Sequence, residues 1–354
     1  MTEHTSQAVA DKSFAGNYFE DFYVGMVLNH ATPLTVSDGD IALYRGLTGR
    51  RFAIYSSAEF AKTNGFDQLP VDPTLAFHVV FGKTVPDISL NAVANLGYAD
   101  GRFPIGVYPG DTLRAVSEVI GVKQNSNGKT GVVYVRTKGF NQKDEEVLSY
   151  VRWVMVNKRD ASSPAPETVI PDLPKAVDPK VFDAHWSYAN WNDTLAGSPH
   201  RYDDYAIGEK INHVDGMTVE EAEHQIATRL YQNTAKVHFD GHNQKQSRFG
   251  KRLIYGGVVI SIARALSFNG LANAAELLAI NGGTHTGPLF AGDTVYAWSE
   301  VLDKAELSDT VGALRLRLVA VKDQDHGDFA LPGEGGKYAP GVCLDFDYWA
   351  AIPR

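Results

Sequence analysis

The chain repeats itself, and this limits its fold more than any other feature. Asp21-Phe-Tyr-Val-Gly-Met-Val-Leu-Asn-His30 returns 183 positions later as Asp204-Tyr-Ala-Ile-Gly-Glu-Lys-Ile-Asn-His213. The same spacing carries Thr35-Val36 onto Thr218-Val219, Leu47 onto Leu230 and Phe66 onto Phe249. Ile88-Ser-Leu-Asn-Ala-Val-Ala-Asn95 resembles Leu266-Ser-Phe-Asn-Gly-Leu-Ala-Asn273 at a spacing of 178. Gly110-Asp-Thr-Leu113 and Ser117-Glu-Val119 match Gly292-Asp-Thr-Val295 and Ser299-Glu-Val301 at 182. A register held this nearly over a hundred residues marks a duplication.

Between the copies, residues 160–180 hold Pro164, Pro166, Pro171, Pro174 and Pro179. Proline removes a backbone donor and fixes φ, so this stretch is expected to be an extended linker without helix or sheet pairing. The chain of 354 residues then divides into 1–159, the linker 160–180, and 181–354. That suits the common domain size of roughly 100–200 residues.

Each copy shows the same order of elements. An opening strand leads to a helix-start signal, Ser37-Asp-Gly-Asp40 in the first copy and Thr218-Val-Glu-Glu221 in the second. The second is the stronger capping-box pattern. Apolar runs predict long helices over 75–85 and 257–268. Three strands rich in Val, Tyr and Trp follow in each copy, 112–122, 130–137 and 147–156, then 294–304, 311–321 and 342–350. Asn127-Gly128 marks a hairpin turn, and a Gly-rich loop over 323–341 precedes the last strand. Short links favour antiparallel pairing, which gives an α+β architecture of sheet wrapped on helix.

Composition narrows the function. The single Cys343 excludes a disulfide scaffold, a Cys-ligated zinc site and a CxxC redox motif, and suits a reducing cytoplasm. The formal charge of −9 argues against a general nucleic-acid binder but not against a local basic pocket. The first 17 residues lack the pattern of a signal peptide, and charged or amide residues interrupt the apolar stretch 256–280, so no membrane span is expected.

The chemistry concentrates in Tyr231-Gln-Asn-Thr-Ala-Lys-Val-His-Phe-Asp240 and Arg252-Leu-Ile-Tyr-Gly-Gly-Val258. This stretch resembles the signature of the MaoC-like, R-specific enoyl-CoA hydratases, Ser-Gly-Asp-x-Asn-Pro-Leu-His-x-Asp followed by an Arg-Ile-Val-His-Gly-Met segment. The position of that family's catalytic Asp, five residues before its His, holds Asn233 ahead of His238. The oxyanion-hole glycine, 18 residues after the His, is Gly256. Phe290-Ala-Gly-Asp293 matches a later turn of the family. The resemblance implies a hot-dog fold, here doubled. The runs 75–91 and 229–239 are similar to the family's hydratases of mesaconyl-CoA, a branched dicarboxylic enoyl thioester. They imply reversible hydration to β-methylmalyl-CoA in acetate or glyoxylate carbon assimilation. A CoA-thioester substrate, no metal, no cofactor and a homo-oligomer are what the resemblance leads one to expect.

The residues present suit that chemistry. Hydration of an enoyl thioester needs donors on the carbonyl oxygen, a base for water and an acid for the α-carbon. Gly256-Gly257 at a helix start offers free N–H groups and the positive helix end. His238 can carry the proton. Asn233 can hold water but cannot act as a base, which leaves Asp240 as a spare carboxylate. Tyr255 and Gly257 are candidate substrate contacts. Arg248 and Arg252 are the candidate forks for a carboxylate, with Arg229, Arg264 and, from the first copy, Arg50 as others. His30, His78, His213, His224 and His285 are read as structural. His238-Phe-Asp-Gly-His242 is too short a pattern to make a metal centre the expectation.

The first copy holds Arg50, Tyr55 and Pro73 where the second has Asn233, His238 and Gly256. One active site per chain is therefore expected, in the second copy, with the first supplying tunnel wall and CoA contacts. A CoA ester also calls for a basic mouth on this acidic chain. Hydration of another dicarboxylic enoyl-CoA such as itaconyl-CoA, a thioesterase reaction, or plain acyl-CoA binding are the alternatives.

Overall fold

The two copies share one antiparallel sheet. The computed structural model describes residues 12–182, 186–324 and 337–354. Strands β1 (Val27–Thr35), β2 (Ala92–Arg102), β3 (Thr112–Gln124), β4 (Thr130–Phe140) and β5 (Glu146–Asn157) belong to the first copy. β6 (Lys210–Thr218), β7 (Glu276–His285), β8 (Thr294–Glu306), β9 (Val311–Lys322) and β10 (Val342–Pro353) belong to the second. Their order is β1-β3-β4-β5-β2-β7-β10-β9-β8-β6. Two five-stranded halves of like topology thus meet at β2 and β7, which makes the chain an α+β double hot dog.

The seam uses glycine where two backbones approach closely. Tyr98 faces Gly283, Ala99 faces Gly282 and Gly101 faces Ile280. A Cβ on Gly101 would lie 2.8 Å from Ile280 Cβ, and one on Gly283 the same distance from the Tyr98 ring. No larger residue fits without separating the strands. These two central strands are the ones the β-branched and aromatic pattern does not reveal. They carry Asn95, Gly97 and Gly101, or Asn281, Gly282 and Gly283, in place of the expected alternation.

Four helices frame the site: α1 (Asp38–Thr48), α2 (Pro73–Thr84), α3 (Glu221–Leu230) and α4 (Gly256–Leu266). α2 and α4 are buried almost from end to end, which is why their sequences are apolar on every face. They meet where His78 Nε2 lies 3.0 Å from Ser261 Oγ, a pair 183 residues apart and thus equivalent in the two copies. His30 and His213 are equivalent as well. Each bonds the Ser of the neighbouring strand, Ser117 at 2.7 Å and Ser299 at 2.8 Å, and so pins β1 to β3 and β6 to β8.

Several local expectations shift. The Ser37–Asp40 capping box forms at α1, but Thr218 does not cap α3. Thr218 is still in strand and bonds Thr294 across the ladder, while Glu220 N–H donates to Glu223. The match at spacing 178 joins unlike places: residues 92–95 open β2, whereas 270–273 lie in the turn before β7. Within residues 160–180, Val169 forms an isolated antiparallel bridge with Val122, with both N–H···O distances at 2.9 Å. As a non-proline it keeps the donor that its proline neighbours lack. Most of the Gly-rich loop, residues 325–336, lies outside the described residues. Among those described, no helix is long and apolar enough to cross a membrane.

Candidate active site

After α3 the chain makes a tight exit that sets the motif in place. Gln232 takes φ +53°, and Asn233 N–H returns to Thr228 O at 3.0 Å. The Asn233 side chain then caps the next turn, with Oδ1 accepting from Ala235 N–H at 3.0 Å. This leaves the Nδ2 hydrogens to serve a ligand. A short helix, Lys236–Phe239, carries His238. It is laced to the approach to α4 by Leu253 N–H to Val237 O at 3.2 Å.

His238 Nδ1 donates to Leu253 O at 2.9 Å. That bond selects the tautomer with the lone pair on Nε2. Burial pushes its pKa down to about 4, so at neutral pH the imidazole is an uncharged base. His224, also lowered by burial, to about 3, accepts Tyr255 N–H on Nε2 at 3.0 Å and fixes the backbone just before Gly256.

The start of α4 is open. Tyr255 offers no side-chain cap, so the first N–H groups of the helix, on Gly256 and Gly257, are free of intrahelical partners. At both positions a side chain would have to displace a neighbouring ring. A Cβ on Gly256 would lie 2.4 Å from the His285 ring, and one on Gly257 would lie 2.4 Å from Tyr255 and 2.7 Å from His78. The corresponding end of α2 is closed: Asp72 accepts from Thr74 N–H at 2.8 Å, and Pro73 has no N–H.

Asn233, His238, Tyr255 and Gly256 line one cavity of about 530 Å³. The first copy completes it with Phe81, Ser89, Asn95, Tyr98 and Arg152. His285, read from the sequence as structural, lines this cavity too. Its Nε2 lies 3.2 Å from Tyr98 Oη, and burial lowers its pKa to about 4. His285 and Arg152 escaped sequence reasoning because neither stands near the motif. One ends β7 and the other lies mid-β5.

Other candidates lie elsewhere. Asp240 caps the turn Gly241–Gln244 through Asn243 N–H at 3.0 Å instead of facing the cavity. Arg252 pairs with Glu221. Arg248 is exposed and stacks over Phe249, and Arg229 is exposed on α3. Arg50 is buried, held by Asp72 at 2.8 Å and Tyr44 Oη at 2.8 Å, so it does not reach across. Arg264 gives its Nη groups to Tyr348 Oη and Ala275 O, both at 2.9 Å. Gly257 packs on His78 and Tyr255 beside the cavity wall. His242 is exposed, and the described residues hold no metal-like group of three His, Cys, Asp or Glu.

The first copy keeps a cavity of about 470 Å³ in the equivalent place, lined by Tyr55 and Pro73 in place of His238 and Gly256. It also contains Glu276, which accepts from Tyr188 Oη at 3.0 Å. Burial raises the Glu276 carboxyl from 4.5 to about 8. The folded chain therefore holds a proton that the unfolded chain loses near 4.5, and folding stability falls as pH rises from there to about 8. Glu276→Gln is expected to remove this fall. Urea unfolding should find the variant more stable than the parent at pH 8 by about 4 kcal/mol, and closer to it at pH 5. Parallel pH profiles for the two proteins would contradict it.

A family model described as mesaconyl-CoA hydratase matches residues 3–330. A mesaconyl-CoA hydratase of Cereibacter sphaeroides is 61% identical over 348 residues, covering 97% of this chain and 100% of that protein. A β-methylmalyl-CoA dehydratase of Chloroflexus aurantiacus is 58% identical over 347 residues, covering 97% and 99%. A solved MaoC domain protein dehydratase of Chloroflexus aurantiacus superposes with a TM-score of 0.96 at 57% identity, covering 98% of this chain and 99% of that one. A Mycobacterium tuberculosis protein described as a double hotdog fold gives 0.79 at 26% identity, covering 96% and 99%.

Proposed function

The chain belongs to the mesaconyl-CoA hydratase family, and from that premise we propose that it adds water reversibly across the double bond of mesaconyl-CoA to give β-methylmalyl-CoA. The observation that carries this reading is one cavity holding both an uncharged His238 and an uncapped helix start at Gly256.

The thioester oxygen sits against the Gly256 N–H, with the helix dipole behind it. His238 Nε2 takes a proton from water as the oxygen bonds to the β-carbon, and negative charge moves to the thioester oxygen. The imidazolium then returns the proton to the α-carbon as the enolate collapses. Asn233 Nδ2 orients the water or the acyl group. Walls from the first copy close one side of the cavity, and a bound acyl group would displace water from it, which strengthens the dipoles aimed at the developing charge.

The rim suits a CoA ester. Lys236, Gln244 and Phe249 reach the cavity edge, and Lys245, Arg248 and Lys251 are exposed in the segment that carries them. Polyanionic phosphates favour such a patch on an otherwise acidic chain.

Incubation with mesaconyl-CoA tests the reading, following enoyl absorbance and free thiol together. Loss of absorbance without thiol is the expected result. Release of thiol would mean hydrolysis, and no change in either would leave a binding protein.

A further inference from the structure

The cavity contains a charge that the hydration chemistry above leaves unused. Arg152 is fully buried on β5, and among the described residues no carboxylate pairs with it. Its Nη2 donates to Thr84 Oγ1 at 2.8 Å, and its contacts to Ser89 Oγ are long, at 3.4 and 3.5 Å. The guanidinium lies 4.3 Å over the Phe81 ring, and Nε has no partner. An isolated buried cation is costly unless a counter-charge arrives.

Other polar groups on the same cavity also lack partners. Both side-chain atoms of Asn95 are buried and unbonded, and so is Tyr255 Oη. Arg Nε, Asn Nδ2 and Tyr Oη are all donors, so together they call for an acceptor with several lone pairs. The second copy offers a contrast. Arg264, which stands 183 positions after Phe81, lies 4.7 Å over Tyr348, the reverse arrangement of ring and cation. Its Nε is unbonded like that of Arg152, but both of its Nη groups are bonded within the chain at 2.9 Å, and it lines neither cavity.

We propose that Arg152, with Asn95 and Tyr255, is the receptor for a carboxylate on the acyl group, and that it makes the cavity select dicarboxylic over monocarboxylic enoyl thioesters. The inference rests on the hydratase reading for its substrate. In mesaconyl-CoA this carboxylate is attached to the β-carbon, so a bidentate Arg both orients that carbon toward the water and neutralises the charge beside it.

Binding separates this proposal from the hydratase reading. Calorimetry in a His238→Ala background compares mesaconyl-CoA with tiglyl-CoA, in which a methyl replaces the carboxylate. With Arg152 present, mesaconyl-CoA is expected to bind more tightly. In the His238→Ala/Arg152→Met chain that preference should shrink by about 10²-fold. An undiminished preference, equal weakening of both ligands, or no binding of either overturns the proposal. Should the Met variant fail to fold, Arg152→Lys carries the test through a loss of about 10-fold, since Lys keeps the charge but not the fork. Binding that follows the expectation while the parent chain fails to hydrate mesaconyl-CoA would sink the hydratase reading and leave the carboxylate receptor standing.

Discussion

Replacing His238 by alanine is expected to lower kcat for hydration of mesaconyl-CoA by about 10²- to 10⁴-fold, with a much smaller change in KM. The imidazole is held by Leu253 O on one side, which keeps Nε2 as the acceptor. Asn233 cannot replace it, since an amide takes no proton at accessible pH. The pH profile gives a second readout. Because the base must be uncharged, kcat/KM falls when the ring is protonated. With the pKa held down to about 4, that acid limb should lie near pH 4, well below the ordinary 6.5 of histidine. A limb near 6.5 would mean a solvated ring. His285 is the rival base, also lowered to about 4 and in the same cavity. If His238→Ala keeps turnover within about 10-fold of the parent while His285→Ala loses it, the proton belongs to His285.

What the sequence made legible follows from how local each signal is. The duplication could be read because turns and caps repeat as short strings: Gly-Asp-Thr at 110 and 292, and the His–Ser pairs of β1–β3 and β6–β8. The outer strands carry Val, Tyr and Trp in usable patterns. β2 and β7 do not, since a close seam between two backbones selects Gly and Asn over β-branched residues. Missing them also misplaced the repeat register, because the chain between α2 and β2 runs through Val85–Ser89 whereas the second copy turns through Phe268–Leu271.

The site divides in the same way. Asn233, His238 and Gly256 lie within one stretch and could be picked out by their resemblance to the hydratase signature. Arg248 and Arg252 lie in that stretch too, yet one is exposed and the other is tied to Glu221. Arg152 and His285 are far away in sequence and are brought in by strand pairing: Arg152 faces Tyr98 across β2–β5, and Tyr98 in turn bonds His285. Nearness to the motif thus does not tell which arginine lines the cavity. Arg264 is also a buried cation with no carboxylate partner among the described residues, so the useful signal is such a cation on a cavity wall, which only the folded chain reveals.

Gly256→Pro is the substitution the chain itself suggests, because the first copy carries Pro73 at the same helix start. Proline is tolerated there: the first helical N–H has no intrahelical partner, and the ring matches helical φ. The preceding residue also suits it. Tyr255 has φ −64° and ψ 131°, close to the −56° and 126° of Asp72 before Pro73. Gly256→Ala supplies the control. Both variants add a Cβ that meets the His285 ring, but alanine keeps the N–H and proline removes it. If that N–H holds the thioester oxygen as charge develops, the proline variant should lose a further factor of about 10²–10³ in kcat relative to the alanine variant. Similar unfolding curves for the two would exclude a folding defect as the cause. Adding His285→Ala to each relieves the shared clash and should leave the gap between them intact. Equal kcat for the two variants would show that the Gly256 N–H does not hold the oxyanion, and would shift that role to Gly257 N–H or to the Asn233 amide.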